Sequence, residues 1–167
     1  MKLDRLDKRI LMVLQQDGRI PNADLAERVG LSASACLRRV KALEEAGIIS
    51  RYVALLDQRK LGRRMDVFVE ISLVGQSNEV LNAFEQAVVQ SPEIMECYLM
   101  AGDADYLLRL TAEDPNDFER IHRETLARLP GVSRMKSSFA IRPIVRKTAF
   151  ALEGAGRPGE DGGRRSG

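Results

Sequence analysis

Apolar side chains recur at helical spacing through the first third of the chain. Leu3, Leu6, Ile10, Val13 and Leu14 predict an amphipathic helix that ends near Asp17-Gly18. Asn22 stands as the cap of a second short helix, Ala23 to Val29, with Leu25, Ala26 and Val29 apolar and Gly30 as its break. Ser32 is a good N-cap for a third helix, in which Cys36, Val40 and Leu43 turn toward a core and Gly47 suits the left-handed end. Beyond it, Ile48 to Leu56 is rich in β-branched and apolar residues and reads as a strand linking two halves. Asp57 to Arg63 is polar, contains Gly62, and makes a plausible boundary.

The second half switches between periods of two and 3.6. Val67, Val69, Ile71 and Leu73 alternate as one strand face, and Val80, Leu81, Phe84, Ala87 and Val88 follow helical spacing. Met95, Cys97, Leu99 and Ala101 alternate again before a turn at Gly102-Asp-Ala-Asp105, and Tyr106, Leu108 and Leu110 form the next strand. Asp114-Pro115 opens a helix carrying Phe118, Ile121, Leu126 and Leu129, closed by Pro130-Gly131. The last strand runs from Val132 to about Ile141, with Met135, Phe139 and Ile141 on one side. The predicted class is α+β: an N-terminal (winged) helix-turn-helix three-helix unit, residues 1–63, then a ferredoxin-like βαββαβ domain, residues 64–152. Residues 153–167 are Gly-rich with no apolar side chain larger than Ala, and are expected to form a disordered, solvated tail.

The polar face of the third helix carries the first chemical signal. Ser34, Arg38 and Lys41 lie opposite the apolar stripe, and Arg39 sits on the flank within reach of a phosphate. An isolated basic helix with this pattern would read as a solvated face. The short helix before it and the Gly-containing turn change that reading to a helix-turn-helix, whose second helix enters a DNA major groove. The DNA-binding candidates are therefore Ser32, Ser34, Arg38, Arg39 and Lys41, with Ser34 and Arg38 toward bases and Arg39 and Lys41 toward phosphates. The net charge of +2 hides an asymmetry of +5 over residues 1–63 and −3 over 64–167, so the front half is the one suited to a polyanion. Cys36 and Cys97 each sit in an apolar pattern without metal-ligand spacing and read as reduced buried thiols. No apolar signal region or membrane-length run is present, which predicts a cytoplasmic protein without membrane contact.

Several phrases carry a resemblance. They are Leu3-Asp-Arg-Leu-Asp-Lys-Arg-Ile-Leu11, Gln16-Asp-Gly-Arg19, Asp24-Leu-Ala-Glu-Arg-Val-Gly-Leu-Ser32, Val53-Ala-Leu-Leu-Asp57, Gly102-Asp-Ala-Asp-Tyr-Leu-Leu108 and Leu129-Pro-Gly-Val132. In this order they resemble the leucine-responsive/asparagine-responsive (Lrp/AsnC) family of transcription regulators over about residues 2–150. The resemblance implies a DNA-binding front half and a regulatory back half. It also implies pairing through the sheets into dimers, assembly into octamers or related rings, and an amino acid effector near the Gly-Asp-x-Asp turn. Ala33 and Ala35 depart from the prolines common in the family, and Ala104 from a frequent aromatic.

The residues at that turn suit a free amino acid. Asp103 and Asp105 could meet its ammonium, and N–H groups around Gly102 its carboxylate. Leu99, Met100 and Phe139 could shape a side-chain slot, with Ser138 as polar neighbour. The competing reading is a hairpin turn in which Asp and Gly only satisfy turn geometry. Two other functions stay open on residues alone: an architectural DNA-wrapping protein without effector, and a small ferredoxin-like enzyme. Against the enzyme stands a single histidine, His122, placed at the edge of a core, with no nucleophile–base pair, phosphate loop or metal cluster, and no cofactor is expected. One helix-turn-helix covers a half-site, so a homodimer is the smallest expected DNA-binding unit. Phe68, Tyr98 or Met100, on the sheet face away from the helices, are its expected contact surface.

Overall fold

A computed structural model describes residues 2–152, which fall into two compact units, 2–55 with 145–152, and 56–144. The expected tail, 153–167, lies outside the described residues.

The first unit holds α1 (Arg5–Leu14), α2 (Asn22–Val29) and α3 (Ala33–Glu45). Ile10, Leu11, Val13, Leu25, Ala26, Val29, Cys36 and Leu43 form its buried core, with Leu3, Leu14 and Val40 partly buried against it. The 3.6-residue period picked out most of this stripe, but it missed Leu11 and included Leu6, which is not part of the core. Asp4 caps α1 in a capping box: its carboxylate accepts from the Asp7 N–H at 2.8 Å, and Asp7 answers the Asp4 N–H at 3.1 Å. Ser32 caps α3 as expected, accepting from the Ala35 N–H at 3.3 Å. Gly30 ends α2 at φ 73°, a left-handed conformation that suits glycine and lets the chain reverse within the motif.

Three expectations in this unit are corrected. Asn22 is the first residue of α2, and Pro21 occupies the cap position, because its ring already fixes the φ of −59° at the helix entry. The freed Asn22 amide donates instead to the Ala33 carbonyl at 2.8 Å, pinning the start of α2 to the start of α3. Ile48 to Leu56 is not a strand: residues 51–57 have no ladder, and Val53, Leu55 and Leu56 are exposed. β-propensity yields a strand only where a second strand offers its N–H and C=O groups. Residues 145–152, assigned above to the second domain, belong to the first unit. The Phe150 N–H donates to Gln15 Oε1 at 2.6 Å, and Leu152 packs on the helical core.

The second unit is a four-stranded antiparallel sheet in the order β2-β3-β1-β4, from β1 (Met65–Leu73), β2 (Ile94–Leu99), β3 (Tyr106–Ala112) and β4 (Val132–Ala140). Its helices are α4 (Asn78–Val89) and α5 (Pro115–Glu124), followed by a 3₁₀ turn at Leu126–Arg128. The ferredoxin-like order is thus present, and one face carries the core: Val67, Val69, Ile71, Tyr106, Leu108 and Leu110 against Phe84, Val88, Ile121 and Leu126. Parity fails at one strand. The β2–β3 register slips between Ile94 and Glu96, so Ile94 and Cys97 pack on the core while Met95 is exposed. Beyond the end of β4, Ile141 is fully exposed, and Phe139 is half-exposed against Phe118 at 5.0 Å between ring centroids.

Candidate functional site

The polar face of α3 is largely as read from the sequence. Ser32, Ser34, Arg38 and Lys41 are exposed, and the Ser32 and Ser34 hydroxyls are 3.3 Å apart. Among the described residues Arg38 and Lys41 have no ion-pair partner, so both cations face solvent ready for an anion. Arg39 does not. Its Nη1 donates to Asp4 Oδ2 at 2.7 Å and to Asp7 Oδ1 at 2.8 Å, so its guanidinium fastens α3 to the capping box of α1. The same arrangement pulls the Asp4 carboxyl below its usual range, first through the Asp7 N–H and then through Arg39. Its Nη1 is thus engaged within the fold, a structural role that the sequence did not show and that sets Arg39 apart from Arg38 and Lys41.

In the second unit a hollow of about 520 Å³ opens on the sheet face away from the helices. Met100, Ala101, Gly102, Asp103 and Ala104 form one wall, Glu70 and Leu107 the floor, and Arg134 and Lys136 the opposite rim. The register explains the gathering: Glu70 pairs with Lys136 on one side and Leu107 on the other, and Ser72 pairs with Arg134. Lys136 Nζ stands 3.3 Å from Glu70 Oε2. Gly102 holds φ 155°, a conformation essentially reserved for glycine, and nothing lies within 4 Å of where its Cβ would be.

The sequence-derived set divides here. Met100, Gly102 and Asp103 line the hollow; Leu99, Asp105, Ser138 and Phe139 do not. Leu99 and Phe139 pair with Tyr106 and Val67, which puts them on the helix side of the sheet. Ser138 pairs with Phe68, further along β4. Asp105 is engaged elsewhere: Oδ2 accepts from the Leu73 N–H at 2.7 Å and Oδ1 from the Gln76 amide at 2.8 Å. It thus ties the end of β1 to the following loop. Glu70, Arg134 and Lys136 escaped the sequence reading. Alternation along β4 separates Arg134, Lys136 and Ser138 from Met135 and Phe139, but only the pairing with β1 aims them at the turn.

The Leu73 N–H, with help from Gln76, holds the Asp105 carboxyl below its ordinary 3.8. A depressed folded pKa means stability that is present above the unfolded value and lost as pH falls through the folded one. Asp105→Asn should therefore lower the melting temperature at neutral pH, and the gap to the parent should close below pH 3.8. Thermal melts of both proteins from neutral pH into acid test this; a gap independent of pH would mean the charge of Asp105 contributes nothing.

Among the described residues, no group of three or more His, Cys, Asp or Glu could hold a metal ion, and no helix is long and apolar enough to cross a membrane. His122 is exposed and edge-on to Phe118. The outer sheet face also holds a network in which Arg109 Nε donates to Glu96 Oε1 at 2.7 Å and Nη1 to Asp66 Oδ1 at 3.2 Å. Tyr98 donates to Glu96 Oε2 at 2.7 Å on that same face.

Comparison with known proteins identifies both halves of the chain. Residues 3–50 match a winged helix-turn-helix DNA-binding family, and residues 66–150 match the Lrp/AsnC ligand binding domain. The chain is 43% identical over 151 residues to the Bkd operon transcriptional regulator of Pseudomonas aeruginosa, covering 90% of this chain and 99% of that one. It is 41% identical over 151 residues to the leucine-responsive regulatory protein of Escherichia coli K12, covering 90% and 92%. Among solved structures, a Neisseria meningitidis transcriptional regulator in complex with L-Met superposes with a TM-score of 0.86 at 38% identity, covering 91% of this chain and 98% of that one. An AsnC family transcriptional regulator from Agrobacterium tumefaciens gives 0.86 at 40% identity, covering 90% and 97%. A helix-turn-helix with an exposed basic face, joined in one chain to a ligand-binding ferredoxin-like unit, makes this protein a DNA-binding transcriptional regulator of the Lrp/AsnC family.

Proposed function

We propose that the hollow at the 100–104 turn takes a free amino acid, and that its occupancy alters how the protein assembles on DNA. The carrying observation is the juxtaposition of opposite charges and apolar side chains around one small hollow. Arg134 and Lys136 offer donors to a carboxylate, Asp103 and Glu70 offer acceptors to an ammonium, and Met100 and Leu107 meet a side chain. Free amino acids carry this trio of groups, and the Neisseria meningitidis relative was solved with L-Met. Ala104 leaves room beside Met100, so an apolar or small side chain fits better than a charged one.

On DNA, Ser34 and Arg38 read base edges and Lys41 holds a phosphate. A dimer is the smallest unit able to cover two half-sites, and dimers gather into an octamer or similar ring in the cytoplasm. Exposed Tyr98 and Met100, with Phe68 on the same sheet face, supply apolar contact area for that association. An effector seated at such a contact shifts the equilibrium by its differential affinity for the two assemblies. The protein acts by binding, with no turnover.

Calorimetry on the full chain with each of the twenty amino acids tests the effector reading. Arg134→Gln and Asp103→Asn should each weaken the best ligand by about ten- to a hundredfold, as expected for losing a charge-assisted hydrogen bond. Light scattering with and without that ligand should show a change of assembly. Binding unchanged in both variants would move the site elsewhere. No binding of any amino acid by the parent protein would leave the architectural DNA-wrapping reading in its place.

A further inference from the structure

The recognition helix carries one exposed side chain that neither the core nor the charge pattern explains. Leu37 lies between Cys36, which is fully buried, and Arg38, which is exposed, and is itself 45% exposed. It is absent from the apolar cluster of its unit, where Cys36, Val40 and Leu43 supply the contribution of α3. Its neighbours at helical spacing are Ser34 one turn before and Lys41 one turn after. A leucine in that place leaves nearly half of its surface in water, outside the buried core of its unit. It stands inside a small patch whose other members, Ser34, Arg38 and Lys41, are polar or cationic and free to meet DNA.

We infer that Leu37 is a specificity-determining residue that contacts the C5-methyl group of a thymine in the major groove. The inference rests on α3 being the DNA-reading helix. The occupant follows from the chemistry around the residue. Arg38 and Lys41 draw α3 to a polyanion, and the one apolar group that bases present in the major groove is the thymine methyl. A branched aliphatic side chain recognises it by excluding water from both surfaces, with no hydrogen bond and no charge. Leu37 therefore adds discrimination between thymine and other bases without adding salt dependence, in contrast to its cationic neighbours.

The experiment uses the full-length protein and duplex sites selected by it from a randomised pool. Each thymine of the selected site is replaced in turn by uracil, which removes one methyl group and leaves the pairing edge intact. The parent protein should lose about fourfold in affinity at one thymine per half-site, the equivalent of one buried methyl group. Leu37→Ala should bind more weakly, lose its response to uracil at that position, and keep the same dependence on salt. Leu37→Met, still apolar, should keep the response. Leu37→Ala should also melt at the parent temperature and keep its oligomeric state, since the side chain lies outside the core.

A parent protein indifferent to uracil at every thymine overturns the inference, and this arm needs no folded variant. So does a Leu37→Ala protein that still senses uracil as the parent does, or one whose oligomeric state changes. Arg38→Ala and Lys41→Ala separate the two levels. If neither weakens binding to the selected site, the assignment of α3 itself fails; if both weaken it while Leu37 has no effect, only the thymine contact fails.

Discussion

Arg39→Ala is expected to destabilise the helical unit by about 2–3 kcal/mol, more than any change on the exposed face of α3. Asp7 is the reason. Its side chain is 5% exposed, one oxygen accepts from the Asp4 N–H, and the other depends on Arg39. Removing the guanidinium leaves a buried carboxylate with half its acceptor capacity unmet, and a buried unpaired charge costs more than the pair contributes. Arg39 itself remains 30% exposed, which keeps the expected loss below that of a fully enclosed pair. Denaturant unfolding followed by helical circular dichroism measures the loss. A cycle with Asp7→Ala should show that Arg39→Ala costs much less once the carboxylate has gone. The salt slope of DNA binding by the folded protein should not change. A loss under about 0.5 kcal/mol, together with a slope reduced by about 0.9, would restore Arg39 as a phosphate contact.

Arg38→Ala is expected to weaken binding to the preferred site by about ten- to a hundredfold and to relax the preference at one base pair. A bidentate arginine contact to a guanine is worth roughly 1–3 kcal/mol of discrimination. The side chain is exposed and has no ion-pair partner among the described residues, so its removal should leave the melting temperature almost unchanged. Lys41→Ala provides the contrast: a uniform loss across sequences and a shallower salt dependence. Selection of sites by each variant, followed by titration at several salt concentrations, checks both. A sharp preference retained by Arg38→Ala would exclude it from base reading. Together, Arg38 and Arg39 place adjacent arginines of one helix differently, one facing solvent and one tied into the fold.

That division shows what could be read from the chain and what could not. Helix positions, caps at Ser32 and the glycine break at Gly30 follow from local rules, since a 3.6-residue period and a cap act over a few neighbouring residues. The alternating strands and their order in the second half were equally legible, because one face of each central strand must be buried. So was the exposed basic face of α3, which needs only helix geometry.

Long-range pairing decided the rest. Arg39 looks like Arg38 in sequence, and only the approach of α1 supplies the two carboxylates that occupy it. Asp103 and Asp105 look equivalent in the turn, yet the loop after β1 claims Asp105 and leaves Asp103 at the hollow. Glu70, Arg134 and Lys136 line one hollow because β1 pairs with β4 in one particular register, and a slip of β4 by one residue would send Arg134 and Lys136 to the helix face. The run 48–56 had strand propensity without a ladder, and 145–152 turned to the helical unit for its contacts. Local sequence thus determined the elements and their buried faces, through steric and hydrophobic periodicity. The tertiary structure alone determined which charges meet, because a charged side chain takes its role from the partner within hydrogen-bond reach, and that partner lies 32 residues away for Arg39 and Asp7.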